Sequence, residues 1–419
     1  MSIAAGGADA RTRDLALISL DEACRRAALH ARPINRIERV ALIDAIDRVL
    51  AEDLRAEVAL PPFDQSAMDG YAFAAASIKR IDDELPVALH VAAGSRADAL
   101  PEGTAARVFT GSPIPVGADT VVMQEHVRRK GGHIAVDGLP RLGSNIRRRG
   151  EDIATGELML EAGQRLGPHH IALLAAQGLA EVGVCSRPRV LILSTGDELR
   201  QPGDTLSEAA VYDSNRPMLL ALARQAGLSV VDGGCMSDSR DAIAHRLAEF
   251  AKSVDFIVTT GGASVGEADH SASALTRTGA VFEMLRMAVK PGKPAIVGRL
   301  SEAAYLGLPG NPVAALVSWL TLGHAMIAAL SGTPWRRQSG IRVPVISGFE
   351  RAAGRNEFVP ARLIHADAGQ QLEILGRGGS ARLKPLIHAD GLAEIGATTG
   401  NLEPGDDVNF HPFRGGFSV

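Results

Sequence analysis

From Pro188 onward the chain alternates short β-branched runs with amphipathic stretches, and the runs lead into loops rich in Gly, Ser, Thr or Asn. Val190 to Leu193, Ser229 to Gly233, Asp255 to Thr259 and Ala303 to Leu308 read as strands. Pro217 to Gln225, Arg240 to Ala251 and a long stretch after Pro312 read as helices. Alternating βα units bury both faces of a parallel sheet, so residues 188–335 are expected to form a central, doubly wound parallel α/β domain.

Ligands of open parallel sheets bind beyond the carboxyl ends of the strands. Three of the strands run into candidate loops: Ser194-Thr195-Gly196-Asp197-Glu198, Thr260-Gly261-Gly262-Ala263-Ser264-Val265-Gly266 and Pro309-Gly310-Asn311-Pro312. Glycine amides approach a phosphate closely, and Asn311-Pro312 opens a helix whose N-terminus suits an anion. One Gly-rich turn is ordinary turn chemistry; three on one edge point to a phosphate or nucleotide site. No G-x-G-x-x-G follows a strand and no G-x-x-x-x-G-K-[ST] occurs, so the usual dinucleotide and Walker-type readings lose their support.

Asp197, Glu198, Asp238 and Asp269 flank these loops, and such carboxylates suit magnesium bridged to substrate phosphates. Asp238, within Ser237-Asp238-Ser239, fits a plain helix N-cap equally well. Lys290-Pro291-Gly292-Lys293-Pro294 presents two ammonium groups on a stretch its prolines keep non-helical, which fits an oxyanion grip or a solvated turn. Arg147-Arg148-Arg149, followed by Glu151 and Asp152, fits an exposed ion-pair cluster. Asp69, before Gly70, is a turn residue or a ligand contact, and Thr110-Gly111-Ser112-Pro113 is open in the same way.

Around the central domain, Ser19-Leu20-Asp21-Glu22 is a capping box for a helix ending near Pro33, and Glu38 to Leu50 reads as a second helix. Residues 15–60 plus 140–187 are expected to form an elongated helical and linking domain, with a further helix starting near Pro168. Runs such as Ala106 to Phe109 and Thr120 to Met123, set between Pro/Gly loops, mark residues 61–139 as a β-rich inserted module. Strand candidates Ile341 to Ile346, Ala361 to Ile364, Gln371 to Leu375 and Asp407 to Phe410 give residues 340–419 the pattern of a C-terminal β-barrel.

Lys and Arg number 44 against 48 Asp and Glu, so no global positive field exists for nucleic acid, and the expected partners are small molecules. Cys24, Cys185 and Cys235 are far apart and form neither a disulfide framework nor a zinc motif, which fits a reducing, cytoplasmic setting. Met1 to Leu15 lacks the apolar run of a signal peptide. Pro312 to Leu330 is expected to be a buried core helix rather than a membrane span.

Taken in order, Pro62 to Ala72, Thr110 to Pro113, Arg147 to Asp152, Ser194 to Glu198, Gly261 to Asp269, Lys290 to Pro294 and Leu308 to Pro312 resemble the molybdopterin molybdenumtransferase family, which includes the E domain of gephyrin. The resemblance runs from about residue 15 to the C-terminus and implies insertion of molybdate into adenylylated molybdopterin. AMP and molybdenum cofactor would be released in a magnesium-dependent step, by a cytoplasmic homodimer. The resemblance implies that Ser194, Thr195, Gly261, Gly262, Ser264, Pro309, Gly310 and Asn311 hold the pterin and AMP phosphates. Glu198, Asp238 and Asp269 would be catalytic and hold the metal; Lys290, Lys293, Pro294, Arg355 and Ser380 would hold molybdate. Asp69 and Asp152, as further catalytic residues, and Thr110, as a substrate contact, look like groups that a dimer partner or neighbouring domains bring to the cleft. A molybdopterin adenylyltransferase with a related α/β domain and a non-catalytic pterin-binding scaffold are the alternatives.

Overall fold

Strand β1 (Arg189–Thr195) is buried from Val190 to Thr195, and its apolar side chains alternate between two separate cores. Val190 and Ile192 join one cluster, Leu191 and Leu193 the other. Successive strand side chains point to opposite faces, so only a sheet covered on both sides accommodates such an uninterrupted apolar run. The computed structural model describes residues 16–261, 270–337, 339–366, 369–376 and 379–413. The chain divides into two units, Met1–Arg39, Asp47–Val49 and Gly183–Val419 in the first, Val40–Ile46 and Leu50–Val182 in the second.

In the first unit β1 is followed by β2 (Ser229–Met236), β3 (Phe256–Thr260), β4 (Val281–Arg286), β5 (Val289–Lys290), β6 (Pro294–Leu300) and β7 (Ala303–Leu308). All but β5 form one sheet in the order β2-β1-β3-β7-β6-β4. The first four are parallel, whereas β6 runs antiparallel to β7 and β4 antiparallel to β6. Helices α1 (Leu20–Leu29), α2 (Asn215–Gln225) and α5 (Pro312–Leu330) supply one core, and α3 (Arg240–Phe250) and α4 (His270–Thr278) the other. In α1 the buried residues Leu20, Ala23, Cys24 and Ala27 follow the helical repeat. Ser19 Oγ accepts from the Glu22 amide at 3.2 Å, but the Glu22 carboxylate takes Arg25 and Arg26 instead, so half of the expected box forms. Helix α5 has a π-helical stretch at Trp319–Gly323 and is packed into the core, as its apolar sequence led one to expect.

The antiparallel pair β4 and β6 extends the expected parallel sheet. Val281–Arg286 mixes Glu283 and Arg286 with apolar residues, and β6 opens on Pro294, so neither has the uninterrupted pattern of β1 or β3. The consequence is functional. Because β6 is reversed, its first residue lies on the rim where β1, β3 and β7 end, and the connection from Met287 to Lys293 lies there too.

A second correction concerns Glu38 to Leu50. Ile37–Ala41 is a strand, Leu42–Ala45 a single 3-10 turn, and Asp47 has a left-handed φ of 61°, which no helix continues through. β-branched Ile37 and Val40 favour the extended form.

The C-terminal strands β8 (Ile341–Pro344), β9 (Asn356–Ala366), β10 (Gly369–Ile374), β11 (Gly391–Ile395) and β12 (Asp407–Pro412) pair in the order β5-β9-β11-β12-β8, with β10 on β9. A bridge from Val345 to Leu372 links the end of β8 to β10 and closes a barrel around Val359, Ala393 and Phe410. In the second unit a six-stranded sheet runs Thr120–Met123, Gly70–Phe73, Ala105–Val108, Glu84–Val91, His133–Val136, Val127–Lys130. The helix Pro168–Ala176 starts at its proline, as expected.

His324, in α5, lines an apolar cavity of about 360 Å³ with Cys24, Trp335 and Phe358. Burial lowers the His324 imidazole from 6.5 to about 4. The unfolded chain therefore takes up a proton near pH 6.5 that the folded chain accepts only near pH 4, and acidification through that window favours unfolding. Calorimetric stability is expected to fall across it by up to about 1.4 kcal/mol per pH unit more in the unmodified protein than in H324L. Equal slopes would show that His324 does not contribute.

Candidate active site

The rim of the parallel strands carries a cleft of about 740 Å³ whose two ends have opposite charge. Thr195, Gly196, Glu198 and Asp238 line it beyond β1 and β2, Gly261 beyond β3, and Pro309, Gly310 and Asn311 beyond β7. Lys290, Lys293 and Pro294 enter from the β4–β6 connection, Arg355 and Ser380 from the C-terminal barrel. Segments spread from Thr195 to Ser380 thus meet because strand ends, one reversed strand and one barrel edge share a rim.

The acidic end is fixed by backbone contacts. The Gly196 amide donates to the Met236 carbonyl at 3.1 Å, and the Asp238 amide donates to Asp197 Oδ1 at 3.1 Å. Asp197 is thereby committed to ordering the loop that presents Asp238. Asp238 lines the cleft while Ser239 caps α3, its Oγ accepting from the Ala242 amide at 3.4 Å. That separates the two roles the sequence left open for Asp238.

The middle of the cleft is held by a residue the sequence reading missed. Asn215 Nδ2 donates to Thr260 Oγ1 and to the Gly310 carbonyl, both at 2.8 Å, and Thr260 Oγ1 donates to the Pro309 carbonyl at 3.2 Å. One amide therefore ties the loops after β3 and β7 together. The expected helix began at Pro217, whereas α2 begins at Asn215; the polar run Asp213-Ser214-Asn215 before the proline was the available signal. Among the described residues, Asn215 Oδ1 and Thr195 Oγ1 are buried and have no hydrogen-bond partner, and Thr195 lines the cleft.

At the cationic end Lys290 Nζ lies 2.7 Å from Glu357 Oε1, and Gly292, at φ 109°, has a position where an added Cβ would stand 3.0 Å from Ser318 Oγ of α5. The Ser380 carbonyl accepts from the Val313 amide at 3.0 Å, so the barrel takes up one of the first-turn donors of α5. Asn311 stands at the N-cap without a side-chain capping bond.

Ser194 sits differently from Thr195. It is fully buried one residue short of the strand end and is not among the residues that line the cleft. Gly262, Ser264 and Asp269 lie outside the described residues. Asp69, Thr110 and Asp152 belong to the second unit. There Asp69 Oδ1 accepts from the Thr110 amide at 2.8 Å and its hydroxyl at 2.9 Å, which holds the Asp69 carboxyl below its usual range. Asp152 is exposed in the loop after the arginine triplet. Arg147 pairs with Glu151 at 2.6 Å, as the ion-pair reading expects, whereas Arg148 pairs with Asp64, also at 2.6 Å.

Among the described residues no three His, Cys, Asp or Glu side chains form a metal cluster. Two carboxylates, Glu198 and Asp238, and a row of backbone groups remain, an oxygen donor set that suits magnesium completed by phosphates and water.

A cleft with an acidic and a cationic end, on the strand rim of a multidomain α/β protein, has the chemistry to take a phosphorylated ligand beside an oxyanion. Sequence comparison is more specific. Residues 18–178 match the MoeA N-terminal region (domain I and II), 191–329 the probable molybdopterin binding domain and 342–413 the MoeA C-terminal region (domain IV). The molybdopterin molybdenumtransferase of Haemophilus influenzae is 34% identical over 95% of this chain and 99% of its own, and that of Bacillus subtilis 36% over 93% of each. A crystal structure of the molybdopterin biosynthesis MoeA protein from Pyrococcus horikoshii OT3 is similar at a TM-score of 0.79 and 28% identity, covering 94% of this chain and 99% of its own. The chain belongs to the molybdopterin molybdenumtransferase family.

Proposed function

We propose that this protein inserts molybdate into adenylylated molybdopterin, releasing AMP and molybdenum cofactor. The observation that carries the reading is the polarity of the cleft, with carboxylates at one end and Lys290, Lys293 and Arg355 at the other. The loop amides of Gly196, Gly261 and Gly310 would lie along the phosphates, where glycine permits close approach. Lys290, Lys293, Arg355 and the Ser380 hydroxyl would receive the tetrahedral oxyanion through charge-assisted hydrogen bonds. Glu198 and Asp238, with Asp269, would hold magnesium, which supplies charge stabilisation at the phosphoanhydride as AMP leaves. Holding both substrates in one cleft supplies much of the rate, since two reactants become one encounter.

The same reading makes the protein a cytoplasmic homodimer and gives Asp69 and Asp152 catalytic roles and Thr110 a substrate contact; a light-scattering mass of the 43.9 kDa monomer at working concentration would contradict the dimer. The central test is AMP release from adenylylated molybdopterin. Release is expected to require molybdate and to stop when EDTA removes magnesium. A protein that binds the pterin nucleotide yet never turns it over under these conditions would be a scaffold instead.

A further inference from the structure

The structure assigns a positioning role to Glu357 and Arg351, two residues of the C-terminal barrel with buried side chains that orient the cations at the cleft's positive end. The inference rests on the oxyanion reading above. Parallel pairing of β5 with β9 places Lys290 directly across from Glu357, so their side chains leave the same face. Lys290 Nζ donates to Glu357 Oε1 at 2.7 Å; the lysine is 45% exposed, the carboxylate 3%. A carboxylate at that depth requires partners. Its other oxygen, Oε2, accepts from Arg351 Nε at 3.1 Å, and the Arg351 side chain is 1% exposed.

Arg351 holds more than Glu357. Its guanidinium also donates to the Gly396 carbonyl at 2.8 Å, to the Thr399 carbonyl at 2.6 Å and to the carbonyl of Arg355. One buried cation therefore fixes both the carboxylate that tethers Lys290 and the backbone that presents Arg355. Neither Arg351 nor Glu357 lines the cleft, so both act on an anion only through other residues. The charges are arranged for this purpose: Arg351 offsets Glu357, which leaves the Lys290 charge available to a ligand. The ammonium has three N–H groups, and directing one inward aims the others. An untethered lysine would have to give up several rotamers on binding, which costs affinity.

Equilibrium dialysis of molybdate against the full-length protein tests this as a double-mutant cycle. Glu357→Gln is expected to weaken molybdate binding by about tenfold, raising KM with kcat little changed. In a Lys290→Ala background the same change is expected to cost nothing further, because its target is gone. Losses that add independently, or an unchanged affinity in E357Q, would overturn the positioning role even if E357Q melts lower. An unchanged affinity in Lys290→Ala would instead overturn the oxyanion reading, and this inference with it. Should E357Q fail to fold, Arg351→Lys keeps the charge but loses the reach to the Arg355 carbonyl; it is expected to raise KM for molybdate, and wild-type KM in that variant would overturn the role.

Discussion

Replacing Lys290 and Lys293 together with alanine is expected to lower molybdate-dependent AMP release by at least about a hundredfold, with the pterin nucleotide still bound. A hydrogen bond to a charged group contributes about 1.5–3 kcal/mol, so losing two costs about two to four powers of ten. Lys290 adds an indirect loss. Its removal takes the ammonium from Glu357 Oε1 and leaves that buried carboxylate to its Arg351 contact. Lys290→Ala should therefore hurt more than Lys293→Ala, although both side chains line the same cleft. The nucleotide loops are built on β1, β3 and β7 and do not depend on the β4–β6 connection, which is why binding at that end should persist. Turnover that kept its molybdate dependence in the double variant would remove both lysines from the oxyanion site.

The ambiguity about these lysines in the sequence has a physical origin. Lys-Pro-Gly-Lys-Pro is compatible with a solvated turn, and only the reversal of β6 brings its start to the rim. That reversal is weakly marked, because a strand opening on proline and an outer strand carrying Glu283 and Arg286 lack the apolar run that two-sided burial imposes. The strands that do carry it, β1, β3 and β7, were readable, and with them the loops at their ends. Contacts of long sequence separation were not readable: Asn215 reaches Gly310, and Arg351 reaches Thr399, through pairings that no local pattern announces. The helix expected over Glu38 to Leu50 failed for the converse reason, since its polar and apolar residues fit a helical repeat that a left-handed Asp47 interrupts.

Gly261→Ala and Gly310→Ala make the same chemical change on neighbouring loops, yet their outcomes are expected to differ sharply. At Gly261, φ is +94°, and an added Cβ would stand 2.2 Å from the Thr195 carbonyl oxygen. Neither the conformation nor the contact is open to alanine, and the obstacle is backbone rather than a side chain that could turn away. The substitution must push β3's loop off the end of β1, and Thr195, Gly261 and the Asn215–Thr260 bond move with it. A destabilisation of about 3 kcal/mol or more is expected, together with loss of pterin nucleotide binding. At Gly310 the nearest atom to a Cβ is the Gly261 Cα at 3.9 Å, an ordinary contact, so the fold should accept alanine. Any loss of nucleotide affinity in G310A would then report crowding of the ligand itself. Thermal melts and nucleotide titrations of the two variants separate the cases. A wild-type melt for G261A would mean that the rim can rearrange, and the cleft would then be less fixed by its strands than the geometry requires.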